Sequence, residues 1–169
     1  YLRQAVTLDS RFAAGWAALA CLYLRVVSSE EAGMSADRTF DLAEEAARTA
    51  VSLDDSLAEA HAALGLVRMS DFDFDEAEAH LHRAIALDPS QVRPREWLVS
   101  LYLWTGRYEE ALGEAERARQ LDPLSPTATA ELARSLMAAH RDEAALAHLA
   151  RLETLRPPLL RVGSIAAWG

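Results

Sequence analysis

The sequence predicts an all-α fold, a right-handed superhelical solenoid built from antiparallel helix pairs. The main evidence is an internal repeat: residues 84–89 (AIALDP) recur as residues 118–123 (ARQLDP), 34 positions later. The same step leads back to Asp54 and forward to Pro157. Between these markers, apolar residues recur every three or four positions, which is the spacing of one helix face. A 34-residue period with this pattern indicates a helix–turn–helix unit that stacks on copies of itself.

The period divides the chain into four complete helix pairs and two partial ones. The predicted boundaries are residues 1–10 (end of a second helix), 11–55 (repeat 1), 56–89 (repeat 2), 90–123 (repeat 3), 124–157 (repeat 4) and 158–169 (start of a further repeat). Because neither terminal segment has the polar face of a capping helix, we expect the chain to be part of a longer array.

Repeat 1 is longer than the others. Asp9 and Asp54 occupy equivalent positions but are 45 residues apart instead of 34, so this unit carries 11 extra residues. They fall between Tyr23 and Phe40, where we expect longer helices and a solvated turn near residues 28–35. Two interpretations stay open: the extra residues only extend the hairpin, or they form a protruding loop that binds a partner.

The two helices of each pair have different patterns. The second helix carries a stripe of small residues where it crosses its partner closely: Ala43, Ala47 and Ala50; Ala77, Leu81 and Ala84; Ala111, Ala115 and Ala118; and Ala145, Leu149 and Leu152. The first helix carries the other half of the pattern, in which large residues fill the space between helices and small ones accompany them: Trp16, Leu19, Ala20 and Tyr23; Leu64 and Gly65; and Leu98 and Tyr102.

Three helix starts have recognisable capping residues. Ser56 and Glu59 have the spacing of a capping box. Ser125 precedes a proline, as a cap residue does when proline takes the first helical position. Asp71 or Asp73 is expected to cap the second helix of repeat 2.

This period and these stripes resemble the tetratricopeptide repeat family over nearly the whole chain. A narrower resemblance, carried by residues 71–77, 83–89, 97–107 and 121–126, is to bacterial regulatory proteins in which such an array follows a winged-helix DNA-binding domain, a Ser/Thr kinase domain or a nucleotide cyclase domain. The resemblance implies a cytoplasmic scaffold that binds a protein or peptide and is not an enzyme. The alternative is a module that self-associates, or docks intramolecularly to regulate the attached domain.

Composition argues against several function classes. The formal net charge is −9; residues 1–90 carry 16 acidic and 7 basic residues, and residues 91–169 carry 10 of each. No segment concentrates positive charge or reaches the ~20 apolar residues of a membrane helix, so we expect no nucleic-acid partner and no membrane contact. All 17 basic residues are arginine, so neither a phosphate-loop lysine nor a Schiff-base lysine is available.

No pattern predicts a catalytic or metal site. Residues 71–75 have the alternating carboxylates of a calcium loop, but Glu76 stands where glycine is required and His82 where a bidentate glutamate is required. No two of the five histidines lie three or four positions apart, as zinc ligands on one helix face do. Cys21 lies on an apolar helix and is interpreted as a small buried side chain. We therefore expect no metal, no cofactor and no catalytic residues.

The family resemblance also indicates which first-helix positions line the concave groove of the solenoid. They are Ala17, Cys21, Leu24 and Arg25; Glu59, Ala62, Leu66 and Met69; Arg93, Glu96, Trp97, Ser100, Leu103 and Trp104; and Ala130, Glu131, Arg134 and Met137. Some family members hold a chaperone's terminal carboxylates with a lysine and asparagine clamp. That clamp cannot form here, because the chain has neither residue type.

Eight of these residues are predicted to form the partner-binding groove: Leu66, Met69, Arg93, Trp97, Ser100, Trp104, Arg134 and Met137. Tryptophan and arginine often dominate binding energy, and methionine adapts to different partners. We therefore expect an extended or helical peptide with acidic groups to bind the tryptophans, the arginines and Met137. The alternative is that both tryptophans pack between repeats while the arginines pair with Glu96 and Glu131.

Overall fold

A computed structural model describes residues 1–26 and 36–155, with the backbone alone at 26, 36–37 and 151–155. All regular secondary structure in these ranges is helical: α1 Leu2–Leu8, α2 Ala13–Val26, α3 Ala36–Leu53, α4 Ala58–Ser70, α5 Phe74–Leu87, α6 Arg93–Trp104, α7 Tyr108–Leu121, α8 Pro126–Ala138 and α9 Asp142–Leu155. The predicted all-α solenoid is confirmed. The turn expected near 28–35 and the further repeat expected at 158–169 lie outside the described residues.

Consecutive helices pack as antiparallel hairpins, α2 with α3, α4 with α5, α6 with α7 and α8 with α9. The hairpins stack because each first helix packs against the next first helix, α2 on α4, α4 on α6 and α6 on α8. Each second helix also packs against the first helix that follows it, and α1 packs on α2. The row α2, α4, α6 and α8 therefore forms one continuous wall of the array.

The second helix of repeat 1 accounts for part of the extra length of that unit. α3 has 18 residues, whereas α5 and α7 have 14 each. Within the described ranges, no helix is both long and apolar enough to cross a lipid bilayer.

The small-residue stripes lie where the helices of a pair cross. Ala77, Leu81 and Ala84 of α5 are each 0 % exposed, and each buried leucine contributes about 2 kcal/mol. A Cβ atom at Gly65 of α4 would lie 2.7 Å from side-chain atoms of Leu81, so α4 approaches α5 too closely for any side chain there. Leu149 of α9 is 38 % exposed, because no described helix covers that side of α9.

Two of the predicted helix caps are confirmed. The side chain of Asp73 accepts a hydrogen bond from the backbone N–H of Glu76 at the start of α5 (3.4 Å). Ser125 accepts one from the N–H of Ala128 at the start of α8 (3.1 Å), with the proline at the first helical position as expected. These bonds satisfy N–H groups that a helix cannot pair internally.

The capping box predicted at Ser56 is wrong, because a turn engages that serine. Asp54 accepts hydrogen bonds from the backbone N–H (2.9 Å) and the hydroxyl (2.6 Å) of Ser56. Leu57 then occupies the cap position of α4, without a side-chain hydrogen bond. Asp88 binds Ser90 in the same way, at 3.0 and 2.6 Å, and these bonds lower the pKa of both aspartates below their ordinary range.

The turns inside three helix pairs share one left-handed backbone position. Phe72 (φ 61°), Gly106 (φ 77°) and His140 (φ 57°) occupy it, each 34 residues from the next. Glycine adopts this conformation without strain, whereas a residue with a Cβ atom loses roughly 1–2 kcal/mol. Phenylalanine and histidine at this position therefore lower the stability of the fold locally.

Candidate partner-binding groove

A cavity of about 910 Å³ opens on the wall formed by the first helices. It spans three consecutive repeats, and its lining comes from α2, α4, α6 and the turn before α6. The lining residues are Cys21, Leu24, Arg25, Glu59, Ala62, Leu66, Asp88, Gln91, Val92, Arg93 and Trp97. Eight of these eleven residues belong to the groove positions inferred from the sequence. The other three, Asp88, Gln91 and Val92, come from the turn, which the first-helix pattern does not cover.

The cavity combines apolar lining with charged groups. Leu24, Leu66 and Trp97 are half-buried, and Trp97 also packs against the central apolar core. Arg25 and Arg93 are exposed, and neither forms a salt bridge or a side-chain hydrogen bond with any described residue. Two guanidinium groups therefore remain available to a ligand that also contacts the apolar side chains.

Cys21 is unsuited to nucleophilic chemistry. Burial raises the pKa of its thiol, and the nearby Glu59 carboxylate raises it further. The Sγ atom lies 3.9 Å from the backbone carbonyl oxygen of Glu59, to which the thiol donates a weak hydrogen bond. Because the thiolate is the reactive form, Cys21 acts here as a small lining side chain.

Arg134 and Ser100 form a separate contact between α6 and α8. The guanidinium of Arg134 donates to the Ser100 hydroxyl (3.3 Å) and to the Glu131 carboxylate (2.6 Å). Burial raises the pKa of both Glu96 and Glu131, while the arginine beside each carboxylate lowers it. The pairing of arginine with glutamate, considered as an alternative, is thus observed for Arg134 and not for Arg93.

Met69 corrects the predicted site. Its side chain is 4 % exposed and belongs to the central core cluster, because α6 covers this part of α4. The equivalent residue of repeat 4, Met137, is 54 % exposed. Met69 therefore cannot contact a ligand, although the repeat pattern places both methionines on the same helix face.

Trp104 lies in a different environment from Trp97. It is 63 % exposed and does not line the cavity; its ring centroid lies 6.3 Å from that of Phe74. Phe74 in turn contacts Phe72, at 6.1 Å. The predicted patch is thus divided: Leu66, Arg93 and Trp97 line the cavity, while Trp104 belongs to an aromatic cluster that the sequence reasoning missed. The sequence feature that could have indicated this cluster is Phe72, because it occupies the turn position that glycine takes in repeat 3.

Two histidines lie close together in the structure although they are far apart in the sequence. His61 and His80, on α4 and α5, face each other at 3.1 Å between their Nδ1 atoms. Among the described residues, however, no group of three or more histidine, cysteine, aspartate or glutamate side chains is arranged to hold a metal ion.

Comparisons with known proteins agree with this architecture. Residues 68–116 match the sequence profile of the Tetratricopeptide repeat family. The crystal structure of MamA shares 18 % identity over 91 % of this chain and 84 % of that one, with a TM-score of 0.72. TTC0263, a TPR protein of Thermus thermophilus, shares 26 % identity over 80 % and 70 % of the two chains, with a TM-score of 0.65.

YrrB, a TPR protein with an unusual peptide-binding site, shares 18 % identity over 93 % of this chain and 75 % of that one, with a TM-score of 0.66. No curated protein matches the sequence. The described part of the chain therefore has the fold of a tetratricopeptide-repeat array.

Proposed function

We propose that the chain is a protein-interaction scaffold whose cavity holds a peptide segment of a partner. The main observation that supports this proposal is the pair of exposed arginines, Arg25 and Arg93. They have no salt-bridge partner among the described residues and line a cavity that also has apolar lining. A cavity of about 910 Å³ is large enough for several side chains. Binding, and not catalysis, is the role that this lining supports.

The ligand that fits is an extended or helical peptide with acidic groups around an apolar side chain. The apolar side chain would contact Leu66 and Trp97, while carboxylates would pair with Arg25 and Arg93. Arginine binds carboxylates through two parallel hydrogen bonds, which adds specificity to the charge attraction. Glu59 and Asp88 also line the cavity and would repel a carboxylate placed near them, so the acidic groups must lie on the arginine sides.

The proposal also extends to the remaining groove residues. Arg134 and Ser100 on the same wall would contact a longer ligand, and the exposed Met137 would add an adaptable apolar contact. The peptide-binding site of YrrB, on a similar fold, supports a peptide as the ligand class. The narrower sequence resemblance supports a bacterial, cytoplasmic signalling protein in which this array regulates an attached kinase, cyclase or DNA-binding domain.

Self-association is the second candidate. Leu146 and Leu149 lie three positions apart on α9 and are 65 % and 38 % exposed, so they present an apolar strip that another helix could cover. Light scattering after size-exclusion chromatography tests this idea. A dimer that Leu146→Glu converts to monomer supports self-association, and a wild-type monomer at high concentration removes it.

The groove proposal is tested by selection and charge reversal. Peptides would be selected from a phage-displayed library on the 169-residue chain, and their affinities measured by isothermal titration calorimetry. We expect the selected peptides to combine aspartate or glutamate with a large apolar residue. Arg25→Glu with Arg93→Glu should weaken their binding by tenfold or more, since about 1.4 kcal/mol corresponds to a factor of ten.

The control is Arg11→Glu with Arg141→Glu, which changes net charge equally but outside the cavity; Arg141→Glu also breaks the exposed salt bridge of Arg141 with Glu109. It should leave the affinity of the selected peptides within about twofold of wild type. Selected peptides that lack acidic residues, or equal losses in both double variants, would contradict the proposed ligand chemistry.

A further inference from the structure

Three aromatic side chains form an exposed cluster at the turn between α4 and α5. Phe72 is 76 % exposed and Trp104 is 63 % exposed, with Phe74 between them. The Phe72 and Phe74 rings meet edge to face (81°), and Phe74 and Trp104 are tilted by 56°. Phe74 also packs against the central core, so the cluster has a fixed base. Trp104 lies two helical turns from Trp97, about 10 Å along α6, and is outside the cavity.

Beyond its edge-to-face contact with Phe74, the side chain of Phe72 makes no recorded contact that stabilises the fold. Its backbone has a φ of 61°, in the left-handed region, where the equivalent residue of the next repeat is Gly106. A phenylalanine is strained in that conformation. Its side chain is mostly exposed, so burial does not offset the strain. A strained and exposed phenylalanine at a glycine position points to a role in binding a partner.

The surroundings of the cluster are acidic. Aspartates at 71, 73 and 75 alternate with the two phenylalanines. Arg68 is the cation nearest to this segment along the chain, and it already binds the carboxylates of Asp71 (3.0 Å), Glu76 (3.2 Å) and Glu44. Asp75 forms no salt bridge with a described residue. Negative charge beside exposed aromatic rings is complementary to a cationic ligand.

We propose that the Phe72–Phe74–Trp104 cluster is a second docking surface, which binds an arginine- or lysine-bearing segment of a partner protein. The cation would lie against the exposed ring faces of Trp104 and Phe72, within the ~6 Å at which the ring quadrupole attracts it. Asp75, which forms no salt bridge with a described residue, would then accept its N–H groups. The cluster thus prefers a ligand of opposite charge to the one proposed for the cavity.

The chain contains an internal example of the same recognition. The guanidinium of Arg107 lies over the Tyr102 ring, 4.3 Å from its centroid, and also donates to the Glu78 carboxylate (2.5 and 3.0 Å). One arginine is thus held by an aromatic face and a carboxylate together. The aromatic cluster offers both groups with no arginine of the described chain recorded on its rings.

The test uses three fluorescein-labelled peptides of one apolar sequence, with arginine, citrulline or glutamate at the same positions. Citrulline keeps the planar shape of arginine but has no charge. Fluorescence anisotropy with the full chain should show that the arginine peptide binds about tenfold more tightly than the other two, with an affinity that falls as salt is added. Equal binding of the citrulline peptide would show a merely apolar surface and overturn the cationic assignment.

Two variants locate the binding. Phe72→Gly and Trp104→Ala should each weaken the arginine peptide about fivefold. Phe72→Gly relieves backbone strain but also removes the ring contact with Phe74, so urea unfolding of the variant is measured beside its binding to separate lost binding from unfolding. His140→Gly is the matched control, because it relieves the same conformation at the turn between α8 and α9, and it should bind like wild type. Wild-type affinity in both cluster variants would place the arginine peptide elsewhere and overturn the proposal.

The cavity proposal and the cluster proposal can be contradicted independently of each other. Arg25→Glu with Arg93→Glu removes the cations of the cavity and should weaken acidic-peptide binding by tenfold or more without weakening the arginine peptide. If that double variant loses the arginine peptide while the cluster variants keep it, the cluster proposal is wrong and the cavity is the only binding surface of the two.

Discussion

The Nδ1 atoms of His61 and His80 lie 3.1 Å apart and connect α4 to α5 through one hydrogen bond between two imidazole rings. Nε2 of His61 is 3.0 Å from a carboxylate oxygen of Asp55, so this nitrogen carries the hydrogen of the neutral ring. Nδ1 of His61 is then the acceptor, and His80 donates. Because His61 is 5 % exposed, water has little access to its ring.

This pair makes the stability of the array depend on pH. Burial lowers the pKa of His80 from 6.5, the neighbouring His61 lowers it further, and Arg68 and Arg48 act in the same direction against Glu76. The unfolded chain therefore binds a proton at this residue more readily than the folded chain does. The contribution of His80 to the free energy of unfolding is therefore complete above pH 6.5 and decreases as the pH falls below that value.

Urea unfolding at a series of pH values measures this effect. The free energy of unfolding of the wild type should fall between about pH 7 and about pH 5. His80→Gln keeps an N–H donor for His61 but cannot titrate, so its stability should depend less on pH over that range. Parallel curves for the two proteins would show that His80 does not contribute to the acid sensitivity.

Gly106 and Gly113 should respond to alanine in opposite directions, although a Cβ atom at either one meets nothing within 4 Å. Gly106 has a φ of 77°, so Gly106→Ala strains the backbone and should destabilise by roughly 1 kcal/mol. Gly113 lies inside α7, so Gly113→Ala should stabilise by about 0.5–1 kcal/mol through helix propensity. Thermal and urea unfolding of both variants check the signs. A shift in the same direction for both would contradict the backbone argument.

Gly65→Ala should destabilise the crossing of α4 and α5. The added Cβ atom would lie 2.7 Å from Cγ and Cδ2 of Leu81 and 3.3 Å from the carbonyl oxygen of Ala77, so a helix or a side chain must move. The expected loss is about 1–3 kcal/mol. A double-mutant cycle with Leu81→Ala tests the cause, because removing Leu81 makes room for the new methyl group. The double variant should lose less than the sum of the single losses; simple additivity would mean that the two side chains do not collide.

Much of the fold could be predicted because the period marks residues with repeated physical roles. Asp54, Asp88 and Asp122 follow one another at 34-residue steps, and each accepts a hydrogen bond from the backbone N–H two residues later. The turn between repeats is therefore encoded by one recurring aspartate. The same bond misled the interpretation of Ser56, since a serine near a helix start can bond backward to a turn as well as forward to the helix.

The binding surface was less predictable because the period gives a residue's helix face but not what covers that face. Met69 and Met137 are equivalent in sequence, yet one is 4 % exposed and the other 54 %. Trp16, His61 and Arg95 are also equivalent, and each donates to the carbonyl oxygen six residues earlier despite unlike chemistry. This hydrogen bond is therefore determined by the position in the repeat and not by the residue type. Other contacts, such as that of His61 with His80, depend on individual side chains that do not recur from repeat to repeat.

Glu114 connects two arginines whose removal should have very different consequences. Its carboxylate accepts a hydrogen bond from Arg95 (2.8 Å) and also pairs with Arg117, whose side chain is 62 % exposed, whereas that of Arg95 is 11 % exposed. Nε of Arg95 lacks a hydrogen-bond partner, and the guanidinium otherwise donates only to the Pro89 carbonyl oxygen (3.4 Å), so Glu114 is its one charged partner among the described residues. Arg117→Ala removes only a solvated contact and should change stability by less than about 1 kcal/mol.

Glu114→Ala should instead cost about 3–5 kcal/mol, because it leaves the charge of Arg95 buried without compensation. Urea unfolding of both single variants measures the contrast. Replacing the pair together, with Arg95→Met and Glu114→Met, should restore most of the loss, since two apolar side chains of similar size need no charge partner. If the double variant is as unstable as Glu114→Ala, the cost arises from packing around α6 and α7 and not from the unpaired guanidinium.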